Sequence, residues 1–277
     1  MKDSKLAQTL SNAMSLSVDE HGNKVGVAEF DSTYSDGAQY GRIQFWDERY
    51  ASFPEPFEWY YEYEMFRASI NDVLPDKNAK IMIAGCGNSH FIEDMADDGY
   101  TDLIGVDLSR VAIAIMKDRC KDRPEIKFHQ GTMQDTDLPA HIYDGIIDKG
   151  LMDALFCTNT GANNVKQYLM EVDRLLNDSG VFFLVTHGLP EERINYLEQY
   201  DLAEPGYTPW FVDVQAVGKP KQYENEVLDL DDPDNSYFIY IAKKDKTLVD
   251  KQKGKILKDA QNAKKKTKKA KKAAPQL

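Results

Sequence analysis

Short apolar runs of strand length alternate along this chain with stripes of apolar residues at helical spacing. The run Ile81-Met82-Ile83-Ala84 suits a buried parallel strand and breaks at once into Gly85-Cys86-Gly87-Asn88-Ser89. Phe91, Ile92, Met95 and Ala96 then fall on one helical face, the helix stops near Asp98-Gly99, and a second apolar strand, Leu103 to Val106, ends on Asp107. Ser109 is a good N-cap for a helix carrying Val111, Ala112, Ile115 and Met116. Strands follow at Glu125 to Phe128 and Tyr143 to Ile147, then a helical stripe of Val165, Tyr168, Leu169, Val172, Leu175 and Leu176, then a strand at Val181 to Thr186. Upstream, Trp59, Tyr63, Phe66, Ile70 and Val73 make a helix stripe that ends before Pro75. Two late strands, Trp210 to Val214 and Tyr237 to Ala242, have no helix between them and predict an antiparallel hairpin. The fold class expected is α/β, a doubly wound, mostly parallel seven-stranded sheet with that hairpin at its C-terminal end.

The 277 residues, 42% of them apolar, suffice for one large α/β domain with additions. No run approaches the roughly 18 apolar residues of a membrane span. Met1-Lys2-Asp3-Ser4 does not lead into a signal-peptide core, so a soluble, cytoplasmic protein with no membrane partner is expected. Cys86, Cys120 and Cys157 are odd in number and widely spaced, which indicates neither a disulfide framework nor a metal site. Residues 1–39 read as a loosely ordered leader, 40–244 as the folded domain with an aromatic N-terminal lid segment at 40–75, and 245–277 as a disordered or loosely helical tail. The tail holds 12 lysines and three aspartates; removing its +9 from the total of −12 leaves −21 on residues 1–244. An acidic body favours a basic partner over nucleic acid, and the terminal KKKTKKAKKAAPQL suits contact with a polyanion.

The chemistry centres on the first strand–loop–helix–strand unit. Gly85 and Gly87 let a ligand lie against bare backbone, and Asp107, 20 positions after Gly87, is placed to accept hydrogen bonds from ribose hydroxyls. A dinucleotide loop needs a third glycine where this chain has Ser89 and His90, so S-adenosylmethionine, which brings no diphosphate, is favoured over a nicotinamide cofactor. Thr132, Met133 and Asp135, after the third strand, are candidates to meet adenine. The fourth strand ends in Asp148-Lys149-Gly150-Leu151-Met152-Asp153-Ala154, where doubly wound sheets place chemistry. Asp148 is the catalytic candidate, a carboxylate that would orient an acceptor amine. Lys149 would contact the cofactor through its backbone or pair with Asp148 or Asp153. His187, at the tip of the fifth strand, is either a base or a hydrogen-bonded structural histidine.

The motifs FWDERY (45–50), PFEWY (56–60), AGCGNS (84–89), VDLS (106–109) and DKGLMDA (148–154) together resemble the class I, seven-β-strand methyltransferases that methylate lysines of eukaryotic translation elongation factor one-alpha. The resemblance runs from about Tyr40 to Lys244 and implies a Rossmann-like fold and a basic protein substrate such as an elongation factor. It implies a cofactor site of Trp46, Tyr50 and Trp59 from the lid segment, Gly85 from the loop, Asp107 with Leu108, and Thr132, Met133 and Lys149. The chain departs from the family at Thr132, where members carry an aspartate, so adenine would be read there by backbone groups or by Asp135. Two alternatives stay open: a small-molecule acceptor enclosed by the rim loops Leu189 to Glu204 and Tyr207 to Asp234, and a cofactor-regulated binding protein that uses Lys264 to Lys272. Deleting residues 245–277 separates them. Binding to a polyanion through the tail should weaken steeply with salt and vanish on deletion, whereas methyl transfer should survive; loss of transfer would make the tail part of the catalytic unit.

Overall fold

A computed structural model describes residues 37–198, 210–219 and 235–244. Residues 1–36, the basic tail, the loop Tyr223 to Asp234 and, of the two rim loops, residues 199–204, 207–209 and 220–234 lie outside the described residues.

A 3-10 turn at Gly37–Gly41 leads into α1 (Ile43–Ser52) and α2 (Tyr63–Val73). Then come β1 (Lys80–Ala84), α3 (Phe91–Asp97), β2 (Asp102–Asp107), α4 (Arg110–Arg119) and β3 (Ile126–Gln130). β4 (Tyr143–Lys149), α5 (Leu151–Phe156), α6 (Gly161–Leu175), β5 (Leu176–Thr186), α7 (Pro190–Glu198), β6 (Phe211–Gly218) and β7 (Ser236–Lys243) complete the order. The sheet has seven strands in the order β3-β2-β1-β4-β5-β7-β6, and only β7 runs against the rest. Strand order reverses between β1 and β4, which opens a crevice at the strands' C-terminal ends.

The apolar runs are continuous because both faces of the sheet are covered. On β5, Phe183 and Val185 pack with Phe66, Ile70 and Phe91 on one face, while Phe182 and Leu184 pack with Tyr168, Leu169, Val172 and Trp210 on the other. None of the described helices is long and apolar enough to cross a membrane.

Four boundaries differ from the sequence expectation. The helix expected from Trp59 starts at Tyr63, because Tyr60 takes a left-handed conformation (φ 65°) and Trp59 is drawn into ring contacts with Tyr40 and Trp46. The aromatic segment around Phe45 to Tyr50 is itself helical, as α1. β5 begins at Leu176, and the turn-like residues 177–180 are carried inside the strand, opposite a register shift between Tyr143 and Gly145 of β4. β6 extends past Val214 to Gly218, paired along its length with β7.

Asp98, after α3, anchors α2 and so the C-terminal end of the lid segment. It accepts from the Tyr63 hydroxyl (2.8 Å), Arg67 (2.8 Å), Asn71 (3.1 Å) and Lys77 (2.7 Å). Burial opposes its ionisation, but those four donors win and hold its pKa well below the carboxylate range. A depressed pKa contributes stability that is present above about pH 4 and lost as pH falls. Asp98→Asn should therefore lower stability at neutral pH by about 1–3 kcal/mol in urea melts. The gap to wild type should narrow progressively below about pH 4; a gap independent of pH would mean that the charge contributes nothing.

Candidate active site

A cavity of about 790 Å³, counting the open solvent at its mouth, lies in the crevice. Its wall includes Trp46, Tyr50 and Trp59 from the lid segment, Gly85 after β1, Asp107 and Leu108 after β2, Thr132 and Met133 after β3, and Lys149 at the end of β4. All nine are residues the sequence points to. Gly87 and Asp148 are expected there as well, and neither is on the wall. The wall also holds Tyr40, Gly41, Arg42 and Ile43, together with Gln134, Gly150, Leu151, Ala154 and Leu155, which sequence reasoning did not single out. The density of aromatic residues from Tyr40 onward was the available signal for the first of these.

The glycines act by shape. Gly85 (φ 63°) faces the cavity, and a Cβ there would stand 2.8 Å from Leu151 Cβ. Gly87 (φ 52°) lies under the lid: a Cβ would meet the Tyr50 hydroxyl at 2.6 Å. Its part is thus to let the lid close and to donate its N–H to Asp107 Oδ2 at 2.8 Å. The other Asp107 oxygen accepts from Ser109 N–H at 2.8 Å. Burial pushes the pKa of Asp107 up, against these two N–H groups. Each oxygen keeps a lone pair for a further donor, and the carboxylate is on the cavity wall, so the pair of acceptors fits the two hydroxyls of a ribose. Beyond β3 the Thr132 hydroxyl donates to Gln134 Oε1 (2.6 Å), and Thr132, Met133 and Gln134 form the wall. Asp135 is exposed and not on the wall, so of the two readers of adenine weighed from sequence only the Thr132 side faces the cavity.

Lys149 pairs with neither Asp148 nor Asp153. Its ammonium donates to Glu58 (2.8 Å) and to the Trp59 carbonyl (2.9 Å). Burial lowers its pKa, and Glu58 opposes that shift. Glu58 also accepts from the Ser89 hydroxyl (2.6 Å) and His90 N–H (2.8 Å), while Asn88 Nδ2 donates to the carbonyls of Pro54 (3.2 Å) and Glu55 (2.7 Å). This polar clasp holds the lid segment against the glycine loop and the end of β4. On the other side the Ser109 hydroxyl donates to Asp47 (2.5 Å), and Tyr50 packs on Val111, Ala112 and Ile115 of α4.

Asp148 is not brought to the cavity. It is fully buried, and its carboxylate accepts from Leu151 N–H (2.7 Å), Met152 N–H (3.0 Å) and the Tyr168 hydroxyl (2.9 Å). Those bonds cap the first turn of α5, whose own N-cap residue is Gly150 and has no side chain to do so. Burial and the charge of Asp153 push its pKa up to about 7. Asp153, one turn on, has the opposite shift: burial is outweighed by His187, Thr186 and Tyr60, which hold it below the carboxylate range. Of the two, Asp153 is the one in ion pairs, with Arg193 (2.9 Å) and His187 (3.4 Å), whereas no ion pair is formed by Asp148 among the described residues.

A family model described as a methyltransferase domain matches residues 75–204. The mouse protein named EEF1A lysine methyltransferase 4 is 31% identical over 171 residues, which cover 58% of this chain and 67% of that one. The Drosophila pseudoobscura pseudoobscura protein named eEF1A lysine and N-terminal methyltransferase homolog is 30% identical over 166 residues, 58% of this chain; the match spans only 24% of that longer protein. Among solved structures, 1,6-didemethyltoxoflavin-N1-methyltransferase of Burkholderia thailandensis shares the fold, with a TM-score of 0.53 and 15% identity over 78% of this chain and 93% of that one.

Asp148→Ala should leave two helix N–H groups and a buried hydroxyl unpaired and destabilise the protein by about 2–4 kcal/mol in urea melts. Unchanged stability with slowed turnover would return Asp148 to the catalytic role expected from sequence.

Proposed function

The chain belongs to the family of class I S-adenosylmethionine-dependent methyltransferases that includes the eEF1A lysine methyltransferases, and from that premise we propose that it methylates a lysine side chain on a basic translation elongation factor. The observation that carries this reading is the 31% identity over 171 residues to a mouse protein named for methylating lysine of EEF1A. Charge supports it, since −21 on residues 1–244 attracts a basic partner. The 12 lysines of residues 245–277 give the same chain a segment of opposite sign for a polyanion.

In this assignment Asp107 takes the ribose hydroxyls, Thr132, Met133 and Gln134 surround adenine, and the bare backbone at Gly85 leaves room for the amino-acid end. Bound there, S-adenosylmethionine supplies a methyl group on a positively charged sulfonium. The chain's own work is to position and to exclude water. Tyr40, Trp46 and Trp59 form a continuous wall, with ring centroids 5.5 Å apart for Tyr40 and Trp59 and 6.3 Å for Trp46 and Trp59. Such a wall leaves the acceptor amine a restricted line of approach. Lys149 serves through Glu58, by keeping the lid segment closed over the site. The amine must arrive neutral, because its lone pair makes the new bond.

The test is transfer of tritiated methyl from S-adenosylmethionine to purified eEF1A, followed by peptide mapping. Label on a lysine of eEF1A is expected. Label confined to small, protease-resistant material from a cell lysate would move the acceptor to a small molecule, and no label despite cofactor binding would leave a binding protein.

A further inference from the structure

Next to the cavity, at the tips of β4 and β5, stands a polar cluster to which nothing above assigns a task. Lys149 pairs with Val185, and Gly150 N–H donates to the Val185 carbonyl at 3.2 Å, so Thr186 and His187 lie beside Gly150, a residue of the cavity wall. The ring of Tyr60 bridges the two: its Cε2 would be 3.6 Å from a Cβ on Gly150, and its hydroxyl is 3.1 Å from His187 Nδ1. Asp153 lies behind them, with His187 Nδ1 at 3.4 Å, the Arg193 guanidinium at 2.9 Å, and hydrogen bonds accepted from the Tyr60 and Thr186 hydroxyls.

These contacts select one tautomer. Tyr60 has one hydroxyl proton and gives it to Asp153, and burial with the neighbouring carboxylate pushes its pKa far up, so it stays protonated. The atoms facing Nδ1 are therefore a phenol oxygen with its proton turned away and a carboxylate oxygen, both acceptors. Nδ1 must carry the hydrogen, and the lone pair of the neutral ring is on Nε2. The imidazole side chain is 60% exposed, and no hydrogen bond occupies Nε2 among the described residues. A base oriented by a buried carboxylate, with its free nitrogen outward at the strand tips, is the arrangement that general-base catalysis uses.

We propose that His187 is the catalytic base that takes the proton from the acceptor lysine, and that Asp153 and Tyr60 are the residues that position it. This rests on the assignment of a lysine acceptor. The ammonium N–H bond breaks and an Nε2–H bond forms, leaving a neutral amine and an imidazolium. The amine's lone pair then forms the N–C bond to the methyl as the C–S bond breaks, and the bonding pair stays on sulfur as the neutral thioether. The imidazolium returns its proton to water through its exposed edge. The groups that face His187 are Asp153 on α5, Tyr60 before α2, Arg193 on α7, and Lys219 just after β6. Hydrogen bonding to Asp153 raises its pKa, against burial, Arg193 and Lys219.

Single-turnover methylation of purified eEF1A, measured from pH 5 to 9 on the full chain and its variants, tests this. The wild type should show an acid limb above the ordinary imidazole value of about 6.5. His187→Gln, at an exposed position that the fold tolerates, should lower the rate about a hundredfold and abolish the limb, with cofactor affinity unchanged. Asp153→Asn, by removing the carboxylate that raises the imidazole, should move the limb to lower pH, which a merely structural role would not do. A His187→Gln enzyme with wild-type rate, or one slowed but retaining the same limb, would overturn the proposal. If the wild type labels no lysine at all, the lysine assignment fails first and the base falls with it.

Discussion

The Glu58–Lys149 pair joins three parts of the chain that are distant in sequence: the lid segment, the glycine loop after β1 and the end of β4. Lys149 is 7% exposed and Glu58 19%, so neither charge is well solvated and each depends on the other and on the Ser89, His90 and Trp59 groups around them. Removing one partner of such a pair strands the other, at a cost of about 3–5 kcal/mol. The clasp holds the Trp59 side of the aromatic wall over the cavity, while the Asp47–Ser109 bond and the packing of Tyr50 on α4 hold the Trp46 side. The left-handed backbone at Tyr60 follows from it as well, because the chain must turn sharply between the clasped Glu58 and the start of α2.

The second organising feature is the division of labour between two buried aspartates, Asp148 near the end of β4 and Asp153 on the short helix α5 that follows it. Asp148 and Asp153 are of the same residue type, and each raises the cost of charging the other. The surroundings favour ionisation at one and oppose it at the other. Asp148 accepts from N–H groups and a phenol, and it serves as the cap of α5; Asp153 pairs with Arg193 and His187. The end of β4 thereby separates a structural carboxylate, turned inward, from an electrostatic one beside the rim. The same separation explains why α5, only six residues long, starts where it does.

Much of the fold was legible in the chain because its signals are local. Apolar runs bounded by Gly, Asp and Ser announced the strands, the stripe Val165 to Leu175 announced α6, and the missing helix between the last two strands announced their antiparallel pairing. The boundaries that moved did so for tertiary reasons. Trp59 has the right spacing for a helix, but its ring is buried more effectively among Tyr40, Trp46 and Phe57. Residues 177–180 carry turn chemistry and use it, Asn177 accepting from Ser179 N–H, but they do so as a bulge inside β5, between the pairs Tyr143–Leu176 and Gly145–Val181.

The residues that line the cavity were determined by the sequence to the extent that backbone position alone places them. A glycine after β1, an acid at the end of β2 and the residues after β3 and β4 must converge at the C-terminal edge of any sheet wound in this order. The tertiary structure alone decided which way each side chain turns and what it meets there. Asp148, Lys149, Asp153 and His187 all sit at strand tips in the sequence pattern. Hydrogen-bond partners from α5, α6, α7 and the lid segment sent Asp148 inward to a helix end, Lys149 to the lid, and Asp153 and His187 to the rim; the α5 N–H groups on Asp148 are local, whereas Tyr168, Glu58 and Arg193 come from distant parts of the chain. The physical reason is that a buried polar group goes where its bonds can be satisfied, and those partners exist only once the chain has folded.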